Sequence, residues 1–184
     1  MKKFALTIVV SLFAQNLLAY QALNLSEYRE ALDEKIKQVA SECAYQADQI
    51  KQGIVYDILK EQNNLDDQKA RTCNREYSKL MKRFCQKKIE VLNMMKNSAS
   101  AEKIEEISKG FSSRPESTAV GAVILYKTKK ELQRVQNQIV YSTDRYVNQS
   151  KCGPLKEDKK LKQYLSDYFV EQYDLISQTT LKAE

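Results

Sequence analysis

Apolar residues recur at steps of three and four along most of this chain, the spacing that lines one stripe of an α-helix. From Leu25 the first stripe runs through Tyr28, Leu32, Ile36, Val39, Cys43, Ala47, Ile50, Ile54 and Ile58. It predicts one long helix ending near Asn63 and Asn64. Ser26 is its expected cap, with the carboxylate of a capping box displaced to Glu30. A second helix opens at Asp66 and Asp67, whose charges suit the positive end of the helix dipole. Its stripe is Ala70, Cys73, Tyr77, Leu80, Phe84, Val91 and Met95, widened by Met81, Cys85, Ile89 and Leu92. A face that broad contacts two neighbours rather than one.

A short helix over residues 101–109 is expected to end at Gly110, and the stretch 110–117, with Pro115 inside it, is the clearest break in the chain. The third long helix is predicted from about Glu116 to Gln149. Within it Leu125, Leu132, Ile139 and Tyr146 repeat every seven residues, with Thr128, Val135 and Ser142 between them, a packing seam with a partly polar half. Gly153 and Pro154 stop that helix. A fourth follows from about Leu155, with Leu161, Leu165, Tyr168, Phe169, Gln172 and Ile176 on its inner side, and the last few residues are expected to fray. The predicted fold is all-α: an antiparallel bundle of about four long helices stapled by two disulfides.

Helical geometry chooses among the three possible pairings of Cys43, Cys73, Cys85 and Cys152. Cys73 and Cys85 share one predicted helix and stand about 18 Å apart along it, beyond the reach of a disulfide. They are also about 120° apart around its axis, so each faces a different neighbour. Folding the first two helices back near residue 64 brings Cys43 level with Cys85. Folding the second and third back near residue 112 brings Cys152 level with Cys73. The expected bonds are Cys43–Cys85 and Cys73–Cys152.

Structural disulfides imply an oxidising compartment, and the start of the chain agrees. Lys2 and Lys3 precede an uncharged run from Phe4 to Ala14 and then Leu17, Leu18 and Ala19, the layout of a cleaved secretory signal. Gln15 and Asn16 interrupt the run, which is too short for a membrane span. Cleavage is expected after Ala19, in preference to Ala22. Residues 1–19 are then the signal, and 20–184 form one helical domain, exported to the periplasm or outside the cell. No integral membrane span is expected after cleavage, and the absence of a cysteine near Ala19 argues against a lipoprotein anchor.

Composition narrows the chemistry. There is no histidine, which removes the commonest general base and metal ligand. Four glycines leave no phosphate-cradling loop and no nucleophile elbow. Without a C-x-x-C spacing, neither a zinc site nor a thiol redox site is expected. Carboxylate pairs such as Asp66–Asp67, Glu105–Glu106 and Glu157–Asp158 remain possible catalytic candidates, and all three have the look of helix-start or surface charge. The formal charge of +6 becomes +4 without the signal, and interleaving of acidic and basic residues suggests solvated helix faces rather than a nucleic-acid surface. Asn24 and Asn148 fit the glycosylation pattern. Eleven tyrosines, with Tyr164, Tyr168 and Tyr173 close together, are expected to edge the core with their hydroxyls toward water.

These features point away from an enzyme and away from any metal or cofactor. The leading expectation is an exported helical protein that works through contacts with another protein, as a chaperone-like holder, an inhibitor or an accessory subunit. The alternative is a carrier for a small apolar ligand, with room supplied by Ala119, Gly121 and Ala122.

Overall fold

The computed structural model describes residues 22–110, 117–157 and 159–182. The expected signal segment and Pro115 lie outside the described residues, as do the side chains of Leu161, Tyr164 and Leu165. The described residues are all-α apart from two three-residue strands. In order they are β1 (Ala22–Asn24), α1 (Leu25–Lys51), α2 (Ile54–Gln62), α3 (Asp67–Ser98), α4 (Ala101–Ser108), α5 (Ser117–Gln149), α6 (Gly153–Glu157), α7 (Lys159–Gln178) and β2 (Thr180–Lys182).

The first helix begins at a full capping box, set two residues earlier than the expected cap at Ser26. The Asn24 side chain accepts from the Glu27 amide at 2.8 Å, and the Glu27 carboxylate accepts from the Asn24 amide at 2.9 Å. Glu30 plays no part in it. Two otherwise orphaned amides are satisfied, so Asn24→Ala is expected to cost about 1 kcal/mol, read as a lower urea midpoint with an unchanged slope.

The long first helix predicted from Leu25 to Asn63 is in fact two. Gly53 adopts a left-handed conformation, φ +85°, between α1 and α2. Only glycine takes that geometry without a steric cost. The stripe therefore loses register near the break: Ala47 is exposed, Ile54 is 39 % exposed, and the core resumes at Leu59. The second helix follows its prediction closely. Asp66 caps α3 by accepting from the Lys69 amide, and Ala70, Cys73, Leu80, Phe84, Val91, Leu92 and Met95 are all buried.

α1 and α3 pack together along most of their length and run in opposite directions. Tyr56 of the adjoining α2 meets Asp67 at one end, Cys43 meets Cys85 further along, and Asp33 meets Lys96 beyond that. α3 meets α5 through Glu76 and Tyr146, and Cys73 of α3 is bonded to Cys152 just beyond the end of α5. α7 closes the other side, where the Tyr168 hydroxyl donates to the Lys88 carbonyl at 3.1 Å and Glu171 pairs with Lys35. The two disulfides join Cys43 to Cys85 and Cys73 to Cys152, with Cα separations of 5.8 and 4.9 Å. These are the pairs that helix length and fold-back predict.

The C-terminal residues depart most from expectation. Instead of fraying, Thr180–Lys182 pairs in parallel with Ala22–Asn24 at the other end of the chain. Leu181 is 1 % exposed, and its backbone lies directly over Gly121 of α5. A Cβ at position 121 would sit 2.1 Å from the Leu181 carbonyl oxygen. Of the small residues expected to leave room for a ligand, Gly121 is covered by the chain's own tail, whereas Ala122 is exposed.

Candidate functional site

Two of the three carboxylate pairs are engaged in structural contacts. Asp66 caps α3 and pairs with Lys69. Asp67 accepts from the Tyr56 hydroxyl and pairs with Lys60 and Arg71, and these three partners hold its carboxyl well below the usual range. Lys60 and Arg71 also lie near the Tyr56 ring, at 5.7 and 5.8 Å from its centre, so the cluster ties α2 to the start of α3. Glu105 pairs with Lys109 and Glu106 with Lys103. Glu157 is exposed, and Asp158 lies outside the described residues. All four cysteines are in disulfides.

The interior carries polar groups. The Tyr28 hydroxyl, the Asn74 Oδ1 and both amide atoms of Gln172 are buried without a hydrogen-bond partner. Each such atom costs about 1–3 kcal/mol, so the surrounding packing must offset them. Burial alone pushes the Tyr28 hydroxyl above its ordinary range, which keeps it neutral. A small, partly open space beside Leu80, Phe84 and Ile139 measures about 30 Å³, the room of one water molecule.

The expectation that tyrosines edge the core holds for some and fails for others. Tyr168 is buried, packs edge-on against Phe169 at 5.8 Å between ring centres, and has its hydroxyl satisfied. Tyr146 is half-buried, donates to Glu76 and carries the Arg83 guanidinium 4.4 Å from its ring centre. Tyr126 and Tyr141, by contrast, are 59 % and 71 % exposed on α5, and Val140 beside them is 39 % exposed.

Tyr126, Lys130, Gln133, Asn137, Val140 and Tyr141 follow one another at helical spacing on α5. They form an outward row about 22 Å long and about 100° wide. At its Tyr126 end, a shallow groove of about 360 Å³ is lined by Tyr126, Lys129, Lys130, Gln133 and Tyr173. There Lys130 sits 5.0 Å from the Tyr126 ring centre. Its ammonium is held above its ordinary range by a hydrogen bond to the Tyr126 hydroxyl. Sequence reasoning missed this row, although the signal was present: positions on the polar side of α5 hold Tyr and Val, where a purely solvated face would hold charge.

No family model matches this chain, and neither a curated protein nor a solved structure is similar to it.

Proposed function

We propose that this chain is an exported, non-enzymatic protein, folded as an antiparallel bundle of four long helices, that works by binding another protein along the outward row of α5. The observation that carries the reading is the exposure of Tyr126, Val140 and Tyr141 on one side of a helix. Tyrosine contributes large, rigid contact area and a hydroxyl, and it is enriched in the centres of protein interfaces. The helix that presents the row is followed by Cys152, which is bonded to α3, so little order has to be gained on binding. Two disulfides, together with the absence of any membrane-length apolar helix among the described residues, support export. Leu181 covers Gly121, one of the three small residues that motivated the carrier alternative, which favours the protein-binding reading.

The test is affinity capture by the oxidised protein from an extract of its own compartment, run beside a Tyr126→Ser/Tyr141→Ser variant. One saturable partner, retained by the wild type and weakened at least about tenfold by the variant, is the expected result. A partner held equally by both proteins would move the interface elsewhere. Capture of no protein would return the question to ligand carriage.

A further inference from the structure

The charges of this chain are not interleaved throughout, as its overall composition suggests. The 22 residues from Gln68 to Ile89 hold eight Lys and Arg against the single carboxylate of Glu76, a net of +7. The whole chain carries +6, so everything outside this stretch sums to −1. All of the stretch lies in α3, whose core side is fixed by Cys73, Leu80, Phe84 and Val91. Measured around the axis from those residues, Arg71, Arg75, Lys79 and Lys82 fall on the opposite side, within about 80° of arc and about 17 Å of length, and Arg83 stands on the flank of that row. All five are exposed.

Their own partners neutralise them only in part. Arg71 pairs with Asp67 and Lys79 with Glu76, while Arg83 rests on the Tyr146 ring. Arg75 and Lys82, at the centre of the row, are in no ion pair among the described residues. A straight row of cations on a rigid, disulfide-stapled helix is the complement of a linear polymer with repeated negative charge, because each contact releases a counterion from the polymer.

We propose that this outward face of α3 binds an anionic polysaccharide. Two features of the face select that class. Among the described residues α3 exposes no large apolar side chain, so the face lacks the anchors that hold a helix in a lipid interface. No aromatic ring stands on the row itself for a nucleic-acid base to stack upon. What remains is a purely ionic track, with Arg side chains suited to paired contacts with carboxylate or sulfate oxygens. The face is separate from the tyrosine row of α5 and does not depend on it.

Heparin is the probe, titrated calorimetrically against the full, oxidised protein. Wild type is expected to bind at ~50 mM salt with an affinity that falls steeply as salt is raised. Arg75→Gln/Lys79→Gln/Lys82→Gln should weaken binding at least about tenfold and flatten the salt dependence. A control, Lys51→Gln/Lys127→Gln/Lys151→Gln, removes the same charge from exposed positions elsewhere and should change affinity by less than about threefold. Both variants are compared only after their melting temperature matches wild type. Equal losses in the two variants, or no heparin binding by wild type, would overturn the proposal. Tighter binding to charge-matched single-stranded DNA, or to phosphatidylglycerol vesicles, would overturn the choice of polysaccharide.

Discussion

Removing the Cys73–Cys152 bond is expected to cost the protein most of its stability. The bond spans 79 residues of sequence, and in the chain-entropy account closing a loop of that size contributes about 4.5 kcal/mol. The bond spanning 42 residues, Cys43–Cys85, contributes about 4 kcal/mol on the same account. Loop size barely separates them, so packing decides. Cys73 and Cys152 are 2 % and 0 % exposed and belong to the continuous core, whereas Cys43 and Cys85 are half-buried. Cys73→Ala/Cys152→Ala therefore loses buried contacts as well as the constraint. A domain of this size holds only about 5–15 kcal/mol in total. Its melting temperature should fall by about 10–15 °C, further than that of Cys43→Ala/Cys85→Ala. The reverse order would mean that the core around Cys73 relaxes into the space. Cys43→Ser alone should expose Cys85 as the one new reactive thiol, measured by alkylation and peptide mapping.

Gly121→Ala is expected to unseat the C-terminal strand. In an exposed helix interior this change gains up to about 1 kcal/mol of helix propensity. Here the added methyl group would meet the Leu181 carbonyl oxygen at 2.1 Å and the Leu181 carbonyl carbon at 2.8 Å, both backbone atoms that no rotamer change can move. The strand must lift, which exposes Leu181 and opens the pairing with Ala22–Asn24. Loss of one buried leucine and its ladder amounts to about 2–3 kcal/mol, or about 4–10 °C in melting temperature. Hydrogen exchange at Leu181 should rise to the level of an exposed amide. A chain stopped after Gln178 gives the decisive comparison, because Gly121→Ala has nothing left to clash with there. In the truncated background the substitution should be neutral or slightly stabilising. An equal loss in both backgrounds would show that the helix itself, and not the strand, rejects the methyl group.

These two positions separate what the order of residues carries from what it does not. The cysteine pairing was legible because it depends on lengths: rise per residue, the position of two breaks and the angle between Cys73 and Cys85. Gly121 was visible as a small residue in an apolar run, but a small residue signals open space and close approach equally well. Three residues, Thr180, Leu181 and Lys182, are too few to carry an alternating pattern, and their partner strand lies at the far end of the chain. Neither strand has a local reason to form; each exists because the other is there.

The candidate surfaces divide in the same way. The basic character of residues 68–89 can be counted in the sequence, and helical spacing places most of it opposite the apolar stripe. Whether that side meets water depends on which faces α1, α5 and α7 cover. The exposed tyrosines of α5 are subtler still, since Tyr126 and Tyr141 resemble Tyr146 and Tyr168 in type and helical setting, yet the latter two are covered by Arg83 and Phe169.

By itself, then, the sequence determined the helical class, most helix boundaries, the core stripes and the disulfide pairs, because each follows from local periodicity and fixed helix dimensions. Tertiary structure alone decided three things: the break at Gly53, the docking of the C-terminal strand over Gly121, and which polar-side residues remain uncovered. Those outcomes depend on contacts between segments far apart in the chain, or on one residue's choice of backbone conformation, and neither leaves a repeating signal in the order of residues.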